Sequence, residues 1–263
     1  MTLTQVDRTV SVRGLELHCR ETGSGDVPVI ALHGHPGTAA TWDGVATAIC
    51  GAGTSDETGD GTATGSRYRV LALTQRGYGE SERASSYRYE EFAGDVFGFA
   101  DALGLGSFVL LGHSFGGTIA SLAAGLDSSR LLGLVLEDSV LPRFAGPPRV
   151  PERPEGELAY DWNVALALTA QFSAPDPAWW ASLAHIGCPT LIIAGGSTSH
   201  VPQDLLAGAA ELIPDGRLVT LEGAGHTPHR TEPDTFVREL TGFLGSLAVD
   251  DPIRECDGRV TTG

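Results

Sequence analysis

The sequence predicts an α/β fold: a doubly wound, mostly parallel sheet of eight strands, with a small cap inserted late in the chain. Three observations carry this. Apolar runs of strand length alternate with helical patterns along the whole chain. Most of those runs are continuously apolar, as strands covered on both faces must be. A length of 263 residues suits one large domain with a substantial buried core.

The elements follow in order. "TVSV" (9–12) and "LELHCR" (15–20) flank Arg13–Gly14 and read as an antiparallel hairpin. "VPVIALHG" (27–34), "RVLALT" (69–74), "SFVLLGHS" (107–114), "LLGLVLED" (131–138), "PTLIIAGG" (189–196) and "RLVTLEG" (217–223) supply six further strands. Tyr89 to Leu105 sets Phe92, Val96, Phe99 and Leu103 at steps of three and four, one helical stripe. "GGTIASLAAGL" (116–126) is small and apolar, suited to a helix packed tightly on a sheet, and Gln203–Leu212 and Pro233–Leu244 complete the set. Residues 1–138 and 188–248 therefore read as the core, joined by right-handed crossovers. Residues 139–187, with Trp162, Trp179 and Trp180, are too long for a simple crossover and read as the cap. The Gly/Ser/Thr/Asp-rich run at 51–67 is expected to be a mobile, dispensable loop, and 249–263 a frayed tail.

Composition narrows the function. The formal net charge is −16, and the sequence contains no lysine. The 17 arginines are scattered, so no nucleic acid or other polyanion is expected as a partner. The missing lysine excludes a P-loop ATPase and a pyridoxal Schiff base. No apolar run approaches the roughly 18 residues of a membrane span. The opening "MTLTQVDRTVSVRG" has no secretory signal pattern, which makes a cytoplasmic location the expectation. Cys19, Cys50, Cys188 and Cys256 show no C-x-x-C spacing, so reduced thiols are expected, with no metal and no cofactor. The expected partner is a small-molecule substrate; the oligomeric state is not legible.

The strongest chemical signal is "GHSFGG" (112–117), which supplies G-x-S-x-G between a strand and a helix. That context puts Ser114 on a strained turn with its hydroxyl exposed, and the glycines on either side avoid collisions across the turn. With this motif, four segments in order resemble the α/β-hydrolase family. "LHGHPGTAATW" (32–42) looks like its H-G-x-P oxyanion loop, "LTQRGYGES" (73–81) its R-G-x-G-x-S segment, and "EGAGHTPHRTEPDTF" (222–236) its terminal G-x-G-H…E-x-P…F pattern. The resemblance covers nearly the whole chain. It implies His226 as general base, ahead of His229 and His200, because a serine hydroxyl is a weak nucleophile until an imidazole takes its proton. It also implies an oxyanion hole from the backbone N–H groups of His35 and Phe115. Of the other histidines, His18 reads as structural, His33 as a brace of the oxyanion loop, and His113 as turned away from the nucleophile. Trp42 reads first as a packing residue, with a place in the substrate-pocket lining as its alternative; Trp162, Trp179 and Trp180 are candidates to line that pocket or, equally, to form the core of the cap.

The triad acid is displaced. The loop after the seventh strand, where many relatives carry a carboxylate, reads Ser197–Thr198–Ser199. Haloalkane dehalogenases keep their acid one strand earlier, and by that resemblance Asp138 is the acid, with Glu137 and Asp204 as alternatives. Their activity does not transfer, because they attack with an aspartate at the position of Ser114; an epoxide hydrolase is disfavoured for the same reason. The expectation is a carboxylesterase- or lactonase-like serine hydrolase acting on a small, largely apolar ester or lactone through an acyl-serine. C–C bond hydrolysis, cofactor-free perhydrolysis and biosynthetic acyl transfer or cyclisation use the same groups and stay open. A non-catalytic ligand-binding homologue is the alternative of another class.

Overall fold

The computed structural model describes residues 3–51, 66–141 and 150–248. Residues 52–65 of the loop expected at 51–67, and the tail at 249–263, lie outside the described residues, as does part of the expected cap at 142–149.

Eight strands form one sheet: β1 (Gln5–Val12), β2 (Leu15–Thr22), β3 (Val27–Leu32), β4 (Tyr68–Leu73), β5 (Phe108–His113), β6 (Leu131–Glu137), β7 (Thr190–Ala194) and β8 (Gly216–Thr220). Their order is β1-β2-β4-β3-β5-β6-β7-β8. The hairpin β1–β2 pairs antiparallel, and β2 meets β4 antiparallel; every later pairing is parallel. The helices are α1 (Asp43–Gly51), α2 (Tyr89–Ala102), α3 (Phe115–Leu126), α4 (Trp162–Ser173), α5 (Pro177–Ser182), α6 (Gln203–Leu212), α7 (Pro228–Thr231) and α8 (Pro233–Ser246).

The sheet is wound in two directions, from β3 back to β4 and then forward from β5. Right-handed crossovers accordingly send helices to opposite faces. One core joins Ile30, Leu110, Leu134 and Ile192 to α2, α3 and α6 through Phe92, Phe99, Ile119 and Leu206. The other joins Val29, Val109, Val135 and Leu191 to α1 and α8 through Ile49, Phe236, Leu240 and Phe243. Strands buried on both faces explain the continuous apolar runs. The winding reverses between β3 and β5, and in such sheets ligands bind outside the carboxyl ends of the strands at that point.

The segment between β6 and β7 carries α4 and α5 and is sutured to residues 77–89. Gly79 N–H donates to Ala159 O at 2.7 Å and Asp161 N–H to Gly77 O at 2.7 Å. Tyr87 Oη donates to Asp161 Oδ2 at 2.8 Å, and Tyr89 N–H to Gln171 Oε1 at 2.9 Å. Asp161 and Asp176 cap the N-termini of α4 and α5 with their side chains.

Of its two readings, Trp42 takes the packing one. Trp42 is fully buried in the core shared with α1 and α8, and its ring packs 5.3 Å from that of His229. It closes a short helical turn, Ala39–Trp42, that runs directly into α1.

Candidate active site

Two strand ends set the geometry. Ser114 follows β5 with φ of 52°, and Asp138 follows β6 with φ of 37°; both are left-handed values that L residues rarely adopt. The turns are held by Ser114 N–H donating to Glu137 O at 3.0 Å and Asp138 N–H to Ile193 O at 2.7 Å. The glycines of the motif are sterically required. A Cβ on Gly112 would lie 2.4 Å from Gly116 O, and one on Gly116 would lie 2.3 Å from Leu32 O.

His226 sits in the loop between β8 and α7 and joins the two strand ends. Its Nε2 is 2.9 Å from Ser114 Oγ, and its Nδ1 is 2.8 Å from Asp138 Oδ2. Asp138 has no exposed surface, whereas the His226 side chain keeps 25% of its own. The alternatives are employed elsewhere. Glu137 turns away from His226 and pairs with His229, whose Nδ1 lies 2.8 Å from Oε1. Asp204 lies in the first turn of α6. The His200 ring rests 4.1 Å from that of His226, centroid to centroid, on the solvent side.

The loop without an acid supplies donors instead. Gly195 N–H reaches Asp138 Oδ1 at 3.0 Å, Ser199 Oγ–H reaches Oδ2 at 2.5 Å, and Gln203 Nε2–H reaches Oδ1 at 3.4 Å. Burial pushes the Asp138 carboxyl up, but His226, Ser199, Gly195 and Gln203 together hold it below the usual aspartate value. Sequence reading located this loop by what it lacks and missed what it donates. The hydrogen-bonding side chains of Ser199 and Gln203 in "STSHVPQ" were the available signal.

The loop after β3 is equally fixed. His33 Nε2 accepts from Gln75 N–H at 3.1 Å, and its Nδ1–H donates to Gly34 O at 2.9 Å. Complete burial pushes His33 down to about 4, which matches a neutral ring making both bonds. Gly37 N–H closes the turn onto Gly34 O at 2.7 Å. The side chain of His35 meets Tyr78 Oη at 3.0 Å and Tyr160 edge-on at 4.8 Å. Phe115 opens α3, where its N–H has no partner within the helix. His18 bonds Thr74 and Asp7 within the sheet edge.

A cavity of about 300 Å³ opens beside His35, lined by Tyr160, Trp162, Ala165, Leu168 and Glu152. Trp179 and Trp180 line a separate cleft over α3 with Thr118, Leu122 and Leu141, and Trp179 stacks on Tyr89 at 4.8 Å. The three tryptophans are therefore divided between two cavities. For a metal, His113, Glu137 and His229 bring ligand atoms within 4.8 Å of one another. However, His113 Nε2 is engaged by His226 O and His229 Nδ1 by Glu137, so two of those ring nitrogens already hold hydrogen bonds. Cys19, Cys50 and Cys188 are buried free thiols, and burial pushes Cys19 up to about 12.

This strand–turn–helix serine, with histidine and acid delivered from later strand ends, defines a class that comparison confirms. A family model described as alpha/beta hydrolase fold matches residues 27–182, and the chain belongs to that family. Among curated relatives, Epoxide hydrolase B of Mycobacterium tuberculosis is 32% identical over 139 residues, which is 51% of this chain and 35% of that one. The match thus spans about a third of that relative's length. The Non-heme chloroperoxidase of Streptomyces lividans is 26% identical over 282 residues, 89% of this chain and 97% of that one. The crystal structure of bromoperoxidase from Bacillus anthracis superposes with a TM-score of 0.72 at 22% identity, covering 91% of this chain and all of that one. No helix among the described residues is long and apolar enough to cross a membrane.

Proposed function

We propose that the protein is a serine hydrolase that cleaves a small, largely apolar ester or lactone through an acyl-serine intermediate. The observation that carries this is the continuous chain Ser114 Oγ–His226 Nε2 at 2.9 Å and His226 Nδ1–Asp138 Oδ2 at 2.8 Å. His226 takes the Ser114 proton as Oγ attacks the carbonyl carbon. The oxyanion is met by the N–H groups of Phe115 and His35. Collapse expels the alcohol, which His226 protonates, and His226 then activates the water that releases the acid. Asp138 fixes the His226 tautomer and stabilises the transient imidazolium. The cavity beside His35, with Trp162, Ala165 and Leu168 in its wall, supports an apolar acyl or alcohol part.

Epoxide opening fits poorly. Attack by Ser114 would leave an ether, which has no carbonyl for water to attack and so cannot be turned over. A second reading is perhydrolysis, in which hydrogen peroxide replaces water on the acyl-serine and a peracid leaves. The near full-length likeness to a chloroperoxidase favours it over the other open chemistries.

A fluorophosphonate probe followed by peptide mass mapping tests the main reading. The adduct is expected on Ser114, with hydrolysis of p-nitrophenyl acetate or butyrate by the wild type. Ser114→Ala should lose turnover by at least about 10⁴-fold with the fold intact. An unlabelled Ser114 points instead to a ligand-binding homologue. Peracid formation from acetate and peroxide, read by bromination of an indicator, reports the second reading.

A further inference from the structure

A second set of buried side chains lies beside Ser114, His226 and Asp138, and the chemistry above does not use it. Each is close in sequence to one of the three: His113 directly precedes Ser114, Glu137 directly precedes Asp138, and His229 follows His226 by three positions. Glu137 has no exposed surface, and His229 and His113 have 7% and 6%. Glu137 Oε1 accepts the His229 backbone N–H at 2.7 Å, and the His229 ring Nδ1 lies 2.8 Å from Oε1 and 2.9 Å from Oε2. His113 Nε2–H donates to the backbone oxygen of His226 at 2.7 Å.

These contacts answer a mechanical problem. His226 is carried by the loop after β8, three strands from β5 and Ser114. At the usual strand spacing that is about 14 Å. β8 is itself a partly exposed edge strand. The loop has to cross back over β7 and β6, and it is tied to each strand end in turn. Leu221 and Gly225 N–H donate to Ala194 and Gly195 O at 2.8 and 2.9 Å beside β7. His229 is tied to Glu137 at the end of β6, and His226 O to His113 at the end of β5.

We propose that Glu137 and His229 are positioning residues, a buried clasp that holds the 221–231 loop on β6 so that the His226 ring reaches Ser114 and Asp138 together. The inference rests on the serine-hydrolase reading. Hydrogen bonds to a buried carboxyl are the strong kind, and two from one residue fix both its backbone and its ring. The other ring nitrogen, His229 Nε2, is buried without a hydrogen-bond partner. Only the Nδ1 half of the ring therefore serves the clasp, while Trp42 and Phe236 pack the remainder at 5.3 and 6.2 Å.

That asymmetry gives the test. Asparagine can place an amide N–H where His229 Nδ1 stands; leucine cannot. Leucine at 137 keeps much of the volume of glutamate and removes both acceptors, whereas glutamine could keep them by a change of the His229 tautomer. Glu137→Leu and His229→Leu should each lower kcat by roughly 10- to 100-fold with KM little changed, since misplacing a catalytic group by about 1 Å costs that order. His229→Asn should retain most of the wild-type kcat. The low-field proton resonance of His226 Nδ1–H gives a readout independent of turnover. It should be present in wild type and His229→Asn, and broadened or lost in the other two. The clasp is overturned if folded Glu137→Leu and His229→Leu keep the resonance and the wild-type kcat, or if His229→Asn is as impaired as His229→Leu. Should one variant fail to fold, the same resonance is read in the others. Failure of the parent reading has a different signature, an unlabelled Ser114 in the wild type, and leaves the resonance test standing.

Discussion

Ser199 donates its hydroxyl to Asp138 at 2.5 Å, from the loop that lacks a carboxylate to the strand end that has one. The acid at the end of β6 and the loop after β7 are complementary parts. Asp138 is wholly buried, and a carboxylate without exposed surface needs several donors. His226 supplies one; Gly195, Ser199 and Gln203 supply the rest. An aspartate placed at Ser199 would remove a donor and add a like charge beside Asp138.

Asp138→Asn is expected to lower kcat by about 10³- to 10⁴-fold while the protein stays folded, because the amide cannot hold the His226 tautomer and does not stabilise an imidazolium. Asp204→Asn, on the first turn of α6, should change kcat little. Steady-state ester hydrolysis checks both. Normal turnover by Asp138→Asn with loss in Asp204→Asn would return the acid to the later loop.

Ser199→Ala tests the donor loop. It removes one charge-assisted hydrogen bond of Asp138, a contact worth about 1.5 to 3 kcal/mol. Turnover should fall by about tenfold or more with KM nearly constant. Ser197→Ala, which loses the hydroxyl donated to the exposed Glu222, should have a small effect on kcat. A stopped-flow acylation rate for Ser199→Ala equal to wild type would refute this.

Much of this arrangement was legible because motif and periodicity agree. The continuous apolar runs became β3 to β7, and Gln203–Leu212 is α6 residue for residue. The nucleophile turn was legible because G-x-S-x-G demands close backbone approaches that only glycine permits. The pairing of Glu137 with His229 was not. Each is a plausible acid or base on its own, and sequence spacing does not tell which side of a strand end a side chain takes when the following residue adopts φ of 37°. Trp42 stayed divided between two readings for a related reason. A tryptophan near an oxyanion loop serves either a cavity or a core, and only the packing of α1 and α8 decides.

That packing predicts how Trp42 responds to substitution. Its indole Nε1–H is buried without a hydrogen-bond partner, an unfavourable state for a donor. Trp42→Phe removes the orphaned donor and keeps much of the apolar volume. It should cost at most about 2 kcal/mol in chemical denaturation, against about 3 to 5 kcal/mol for Trp42→Ala. KM should be unchanged in Trp42→Phe. A raised KM with unchanged stability would restore Trp42 to the substrate pocket.

Stability should fall on mild acidification, and His33 should account for part of the fall. Burial lowers His33 from the ordinary value of about 6.5 to about 4, so the folded chain refuses a proton that the unfolded chain accepts throughout that interval. The unfolded state binds more protons there, and stability therefore rises with pH between about 4 and 6.5 and is level above it. Burial also lowers His35, His113 and His200, which add to the slope in the same direction. A shift of this size corresponds to about 3 kcal/mol from His33 at most. His33→Gln offers a non-titrating acceptor to Gln75 N–H, and should unfold more readily at pH 7 but lose less further stability at pH 5 than the wild type does. Urea unfolding at the two pH values measures it. Equal losses in both proteins would mean that His33 takes up its proton in the folded state as readily as in the unfolded one, and that the loop after β3 is not sealed from solvent.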